Sequence, residues 1–356
     1  MSLLGDRLQQ ARKARGWSLA TLAEAARGIV TRQALYKYEK GLDTPRSEVL
    51  LALAHALGIA IDYFFRPSSS PVTLSELACR KRSGLGKRSL AAIRAQVKDR
   101  IERWLELESF FPPSRFLRFI FSPDNFLALE RLEDIETLAK DIRSHLSLGL
   151  APIENMTELL EDSGIKIFQW PGEEGKFDGF SCWANNDIPV IVVKAKLSGD
   201  RQRSSLAHEL GHLAMKPAEG LNPEKAARRF SGAFLVPDVV ARRELGAKRH
   251  KLELPELFTL KRKYGMSMQQ WIYRAKDLEI ITEGYAASLF RFFRAQSWHI
   301  REPGEPLPEE TSSRLKRLAI QAVAEDLVSP ARAAELSGIS VGELREACLG
   351  REAAVQ

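Results

Sequence analysis

The chain has 356 residues, 44% hydrophobic and 28% charged, enough for roughly two or three domains with cores of their own. Its three cysteines, Cys79, Cys182 and Cys348, lie far apart with no C-x-x-C, which argues against a disulfide framework or a thiolate zinc site and fits a reducing compartment. The net charge of +7 and pI of 9.3 point to a polyanion partner; no apolar run nears the ~18 residues of a membrane span and residues 1–7 are no signal peptide, so a cytoplasmic protein is expected.

Residues 1–66 read as short helices. Leu4, Leu8 and Ala11 share a face, and Ser18 is placed to cap a helix carrying Leu19, Leu22, Ala23 and Ala26. Thr31 is placed to cap the next, which ends at Gly41. Beyond Pro45, the residues Val49, Leu50, Leu53, Ala54 and Leu57 recur at helical spacing. Two short helices joined by a tight turn within such a bundle make a helix-turn-helix, whose second helix enters the DNA major groove.

Gly16-Trp17-Ser18, Leu22-Ala23, Tyr38-Glu39-Lys40-Gly41 and the ending Pro45…Leu53-Ala54…Leu57-Gly58 together resemble the Xre-type, lambda-repressor-like helix-turn-helix family. The resemblance implies that Thr31, Arg32, Gln33, Tyr36 and Lys37 contact bases and phosphates of a double-stranded DNA operator, and that the protein works as a homodimer. Arg and Gln can bond bidentately to guanine and adenine. The turn from Ala25 to Thr31 is about two residues longer than the commonest family pattern.

The Pro- and Ser-rich residues 66–71 mark a boundary. Residues 80–103 then hold nine basic side chains and two acidic ones, either to track a phosphate backbone or as the solvated face of a connecting helix. Across residues 126–148 the positions Leu129, Leu132, Ile135, Leu138 and Ile142 predict an amphipathic helix.

After Pro152 helix and strand alternate. Residues 156–162 read as helix and 165–170, 180–183 and 189–193 as strands of a short twisted sheet whose edge offers pairing to an extended peptide. Next comes His208-Glu209-Leu210-Gly211-His212. An H-E-x-x-H is expected by chance on the order of 0.01 times in such a chain, and on a helix it puts both imidazoles on one face to share a metal. Glu209 between them is placed to take a proton from a metal-activated water. Zinc hydrolases usually have a third protein ligand. Glu224 follows the N-cap Asn222 and Pro223 at the start of a second helix and is the preferred third ligand; Glu219 and His250 are its rivals. Arg201 and Arg203 read as structural, with oxyanion stabilisation as the alternative.

Asp200-Arg201-Gln202-Arg203, the stretch from Leu206 to Leu213, that from Glu224 to Pro237, and Lys263-Tyr264-Gly265-Met266-Ser267 with Arg274-Ala275 resemble the ImmA/IrrE metallo-endopeptidases over most of residues 125–300. The resemblance implies Zn2+ held by His208, His212 and Glu224, Glu209 as general base, and a repressor protein as substrate. Ser204 and Ser231 replace bulkier or more apolar residues of the family pattern.

Residues 302–309 look like a second linker, and the Leu/Ala pattern beyond has the cadence of another helix-turn-helix. The expected domains are 1–67 for DNA binding, 68–124 as a basic helical linker, 125–301 as the zinc peptidase and 302–356 as a helical C-terminal module. The fold class is multidomain and mainly α, with a lambda-repressor-like bundle, an α+β zincin-like domain and a helical C-terminal region. Two other readings compete with a DNA-binding endopeptidase. In one, a transcription factor or antitoxin uses its peptidase-like domain as a sensor that cuts nothing. In the other, the chain cleaves itself near residues 68–71.

Overall fold

The computed structural model describes residues 2–65, 72–75, 86–120, 127–172 and 177–349. The chain falls into two compact units, each assembled from separated segments. The first comprises Met1–Leu74, Gly84–Arg115 and Leu315–Gln356, and the second Ser75–Ser83 and Phe116–Arg314. Residues 66–71, with the candidate self-cleavage positions, lie outside the described residues, as do Cys79, Arg80, Lys81 and Arg82.

The first unit opens with α1 (Leu3–Ala14), α2 (Leu19–Ala25), α3 (Arg32–Glu39) and α4 (Ser47–Leu57), then a 3-10 turn at Ile61–Phe64. The hydroxyls of Ser2, Ser18 and Thr31 accept the N–H groups of Gly5, Thr21 and Ala34, which fixes three helix starts where the sequence places caps or serine. Leu8, Leu22, Leu35, Leu53 and Phe64 are fully buried in one core. Each such side chain contributes about 1.5–3 kcal/mol by leaving water. The turn between α2 and α3 is turned by two left-handed residues, Arg27 (φ 55°) and Gly28 (φ 75°).

Helix α5 (Lys87–Glu108) packs on α1, and its Ile93, Val97, Ile101 and Trp104 are all 2% exposed or less. The Arg7 guanidinium meets Glu102 at 2.7 Å with both side chains buried. Several cations of the basic stretch are engaged within the unit. Arg94 donates to the Leu74 carbonyl at 2.9 Å, and Arg103 reaches Asp99 at 2.8 Å and the Glu335 carbonyl at 3.4 Å.

The second unit begins with strand β1 (Leu127–Leu129) and helix α6 (Asp134–His145). The helix expected from residue 126 thus starts only at Asp134, whose carboxylate accepts the Arg131 N–H at 3.0 Å. Leu129, counted in its apolar stripe, belongs to the strand instead, where parallel pairing with a later strand satisfies the backbone. Helix α7 (Met156–Asp162) leads into β2 (Lys166–Trp170), β3 (Gly179–Ala184) and β4 (Ile188–Lys194), a three-stranded sheet in the order β2-β4-β3. β2 runs parallel to β4 and β3 antiparallel to it. Helix α8 (Gly199–Ala214) lies against β3 and β4, and β5 (Met215–Pro217) pairs with β1. Then follow α9 (Pro223–Leu235), α10 (Asp238–Leu245), α11 (Leu254–Tyr264), α12 (Met268–Asp277) and α13 (Glu283–Ala295). One core joins Ile191 and Val193 of the sheet to Leu206 and Leu210 of α8, Phe230 and Phe234 of α9, and Trp271 of α12.

Residues 302–309 do not form a spacer. Glu302 accepts the N–H groups of Met268 and Gln269 at the start of α12 and pairs with Lys261 at 2.8 Å. Leu307 accepts the Gly199 N–H at 2.9 Å, and Glu310 binds Arg203, Gln202 and the Thr157 N–H. The chain then returns to the first unit as α14 (Arg314–Ala324), α15 (Pro330–Ser337) and α16 (Val341–Cys348). α15 packs on α5, with Arg332 paired to Glu106, and α16 packs on α15.

Candidate metal centre

Helix α8 carries both histidines one turn apart. His208 Nε2 and His212 Nε2 approach to 3.1 Å with the rings nearly perpendicular, at 87°. Glu224 arrives from α9, which Asn222 caps by accepting the N–H groups of Glu224 and Lys225 at 2.9 and 3.1 Å. Its carboxylate lies 3.2 Å from His208 Nε2 and 3.5 Å from His212 Nε2. One ligand atom from each residue lies within 4.8 Å of the other two. Tetrahedral zinc with ligands at about 2.0–2.1 Å holds them roughly 3.3 Å apart, so this two-imidazole, one-carboxylate set fits zinc in both spacing and chemistry. Among the described residues neither Glu219 nor His250 joins such a group.

The helices can come this close because position 211 is glycine. A Cβ there would sit 2.9 Å from the Phe230 ring and 3.2 Å from Met215 Cε. The site opens toward Glu224: the side chains of His212, His208 and Glu224 are 4%, 23% and 45% exposed. The hydrogen bond with His208, then that with His212, holds the Glu224 carboxyl well below the usual carboxylate range, so it is an anion.

Glu209, the next residue of α8, is 6% exposed. Ser181 on β3 donates its hydroxyl to Glu209 Oε2 at 2.8 Å, both groups buried, which leaves Oε1 for other work. Ser181 was not legible as a site residue, since its partner lies 28 residues on. A cavity of about 840 Å³ opens over His208, Glu209 and Glu224. Asp178 and Gly179, Gln270 and Tyr273, and the chain from Trp298 to Pro306 line it. Ser204 and Ser231 face it too, and Gln270 bridges them by bonding both hydroxyls. The two serines therefore form a polar wall with Gln270. Arg203 is structural, donating to the Ile153 and Glu154 carbonyls as well as to Glu310. Arg201 reaches the Ile300 carbonyl at 3.4 Å and Asp178 at 3.8 Å on the cavity rim.

In the first unit Thr31, Arg32, Gln33, Tyr36 and Lys37 are all exposed on α3 or its cap. The Thr31 hydroxyl accepts the Ala34 N–H at 3.2 Å, and the Lys40 ammonium sits 6.0 Å from the Tyr36 ring centre. The opposite face is anchored: Leu35 is buried, and Glu39 binds Arg12 at 2.5 and 2.8 Å. Gly5 of α1 packs so tightly on α3 that a Cβ would stand 2.5 Å from the Tyr38 carbonyl oxygen. α3 thus presents one polar face to solvent on a rigid back.

Residues 8–64 match the family model described as helix-turn-helix, and residues 160–276 that described as the IrrE N-terminal-like domain. The chain fuses an Xre-type helix-turn-helix to an ImmA/IrrE-type domain. The match to this ImmA/IrrE-type domain contains all three cluster residues, Glu209 and Ser181, whereas the segment from Trp298 to Pro306 lies beyond it. No curated protein and no solved structure matches the chain. Among the described residues no helix is long and apolar enough to cross a membrane.

Proposed function

We propose that the protein is a DNA-binding transcriptional regulator whose ImmA/IrrE-type domain is a zinc-dependent endopeptidase that cuts a repressor-type protein. The observation that carries this reading is the meeting of His208, His212 and Glu224 within 4.8 Å, with Glu209 on the same helix lining the same cavity. When bound, Zn2+ supplies a Lewis acid that acidifies water and polarises the scissile carbonyl. Glu209 takes the proton of the attacking water on the oxygen that Ser181 leaves open, and passes it to the leaving amide nitrogen as the C–N bond breaks.

The substrate is held by β3. In the antiparallel register, Phe180 and Cys182 alternate with Gly179, Ser181 and Trp183, and Trp183 faces Pro189, which has no N–H. Trp183 therefore turns its backbone outward, where its carbonyl accepts the Ser75 N–H at 2.8 Å. Gly179 and Ser181 share that outward phase and, among the described residues, leave it for an extended peptide beyond the pairing of Ser75 with Trp183. A folded core does not thread into such an edge, so the cut falls in an exposed linker of the repressor. In the first unit, α3 reads the operator through Arg32, Gln33, Tyr36, Lys37 and Thr31, as a homodimer on a palindromic site.

Glu209→Gln tests the assignment. Cleavage of a repressor should fall by about 10²–10⁴-fold while bound zinc and operator affinity stay at wild-type levels. Cleavage at the wild-type rate would remove Glu209 from its role. Wild-type protein that purifies without near-stoichiometric zinc and cuts nothing would favour the sensor instead.

A further inference from the structure

A second cavity, of about 760 Å³, adjoins the ligand cluster. Glu224, Arg228 and Tyr273 line both cavities, so the two adjoin at these side chains. Its volume is that of pockets enclosing a small-molecule ligand, so a few residues of extended chain fit inside. The walls are rich in cations. Arg229, Arg249 and Lys276 are committed to Glu136, Glu256 and Asp277 respectively. Lys225, Arg228, Lys248 and His250 line the same walls, and among the described residues no carboxylate lies within ion-pairing distance of them. They come from the start of α9 and from the loop between α10 and α11, which the Arg249 N–H pins to the Ile280 carbonyl at 2.7 Å. The fold gathers them, since no single charge run does. Glu279 and Glu283 of the wall are likewise without an ion-pair partner among the described residues, and Glu133 and Glu224 line it too, so the cations that bear on the proposal are Lys225, Arg228 and Lys248.

We propose that this cavity receives acidic side chains of the cut polypeptide, on one side of the scissile bond. The proposal rests on the endopeptidase reading above. A peptide that crosses His208 and Glu209 along the β3 edge and continues past Glu224 enters this recess, where Arg228 stands one helical turn beyond the ligand. Carboxylates there meet the cations of Lys225 and Lys248, and Arg228 beside the Tyr273 ring, whereas lysines would be repelled. A DNA duplex, by contrast, does not enter a recess of this size.

The test uses the full-length, zinc-loaded Glu209→Gln protein, which separates binding from cleavage. Fluorescently labelled peptides of one sequence, carrying Asp, Ala or Lys at successive positions, are titrated by anisotropy. At one stretch of positions the Asp peptide should bind at least about five-fold tighter than the Ala peptide, and the difference should shrink with added salt. Adding Lys248→Glu should abolish or invert that preference, and Arg228→Gln should weaken it, with zinc content unchanged. Equal affinity for Asp and Ala peptides, or a preference untouched by both substitutions, overturns the proposal. So does a site that binds inorganic phosphate with the same Lys248 dependence but no acidic peptide. Repressor cleavage by the wild-type chain is scored separately. Absent cleavage with intact charge preference sinks the endopeptidase reading; intact cleavage without charge preference sinks only this one.

Discussion

Glu224 and Ser181 show how far one side chain can be judged from its neighbours in sequence. Glu224 was legible because Asn222 and Pro223 fix a helix start, and a carboxylate in a first turn then has a defined direction. The imidazole hydrogen bonds keep it ionised. Glu224→Gln should lower zinc affinity by more than the roughly 10–100-fold that losing an outer-shell partner costs. Glu219→Gln should leave it unchanged; competition against a chromophoric chelator reads both. Ser181 had no such signal, because only the tertiary packing of α8 on β3 brings its hydroxyl to Glu209. Removing a hydrogen bond to a charged group costs about 1.5–3 kcal/mol. Ser181→Ala should accordingly lower kcat by about ten-fold or more with KM and zinc content unchanged, and Ser181→Thr should restore most of it. An unchanged kcat in Ser181→Ala would show that Glu209 needs no such support.

At the scale of elements, local chemistry determined most of what was legible. Ser18, Thr31 and Asn222 cap the helices expected of them, and the three strands of the sheet appear within a residue or two of the expected bounds. The failures are elements whose state is decided at a distance. Leu127–Leu129 becomes a strand because β5, almost ninety positions away, completes its hydrogen bonds. The Pro- and Glu-rich residues 302–309 look like a linker because their partners, Lys261, Gly199 and the start of α12, are invisible locally. Close helix contact likewise depends on a glycine whose value only the packed structure reveals. A Cβ at position 211 meets a fully buried Phe230 ring that has little room to turn. Gly211→Ala should cost about 1–3 kcal/mol of overpacking strain, read by denaturant unfolding of the metal-free protein. It should also weaken zinc binding, by separating α8 from α9 and so the histidines from Glu224. Wild-type stability in that variant would mean that α8 and α9 can shift apart freely.

For the whole molecule, the order of segments along the chain differs from their grouping in space. The sequence offers four domains in succession, whereas the described residues form two units, and the last three helices rejoin the first of them. No local pattern announces this, because a Leu/Ala stripe specifies a buried face but not its partner. Within the first unit, α5 packs against both α1 and α15, so the basic stretch serves packing as well as charge. Two perturbations should therefore act on different units. Glu102→Ala removes the carboxylate that the buried Arg7 guanidinium meets at 2.7 Å and should destabilise the first unit by about 1.5–3 kcal/mol. Zinc is to be held by residues of the second unit alone, and at a thousand-fold excess over its Kd it should stabilise that unit by about 4 kcal/mol. In scanning calorimetry a chelator should lower one transition and Glu102→Ala the other. If both treatments move a single transition together, the two units fold as one, and the zinc site is thermodynamically coupled to the helix-turn-helix.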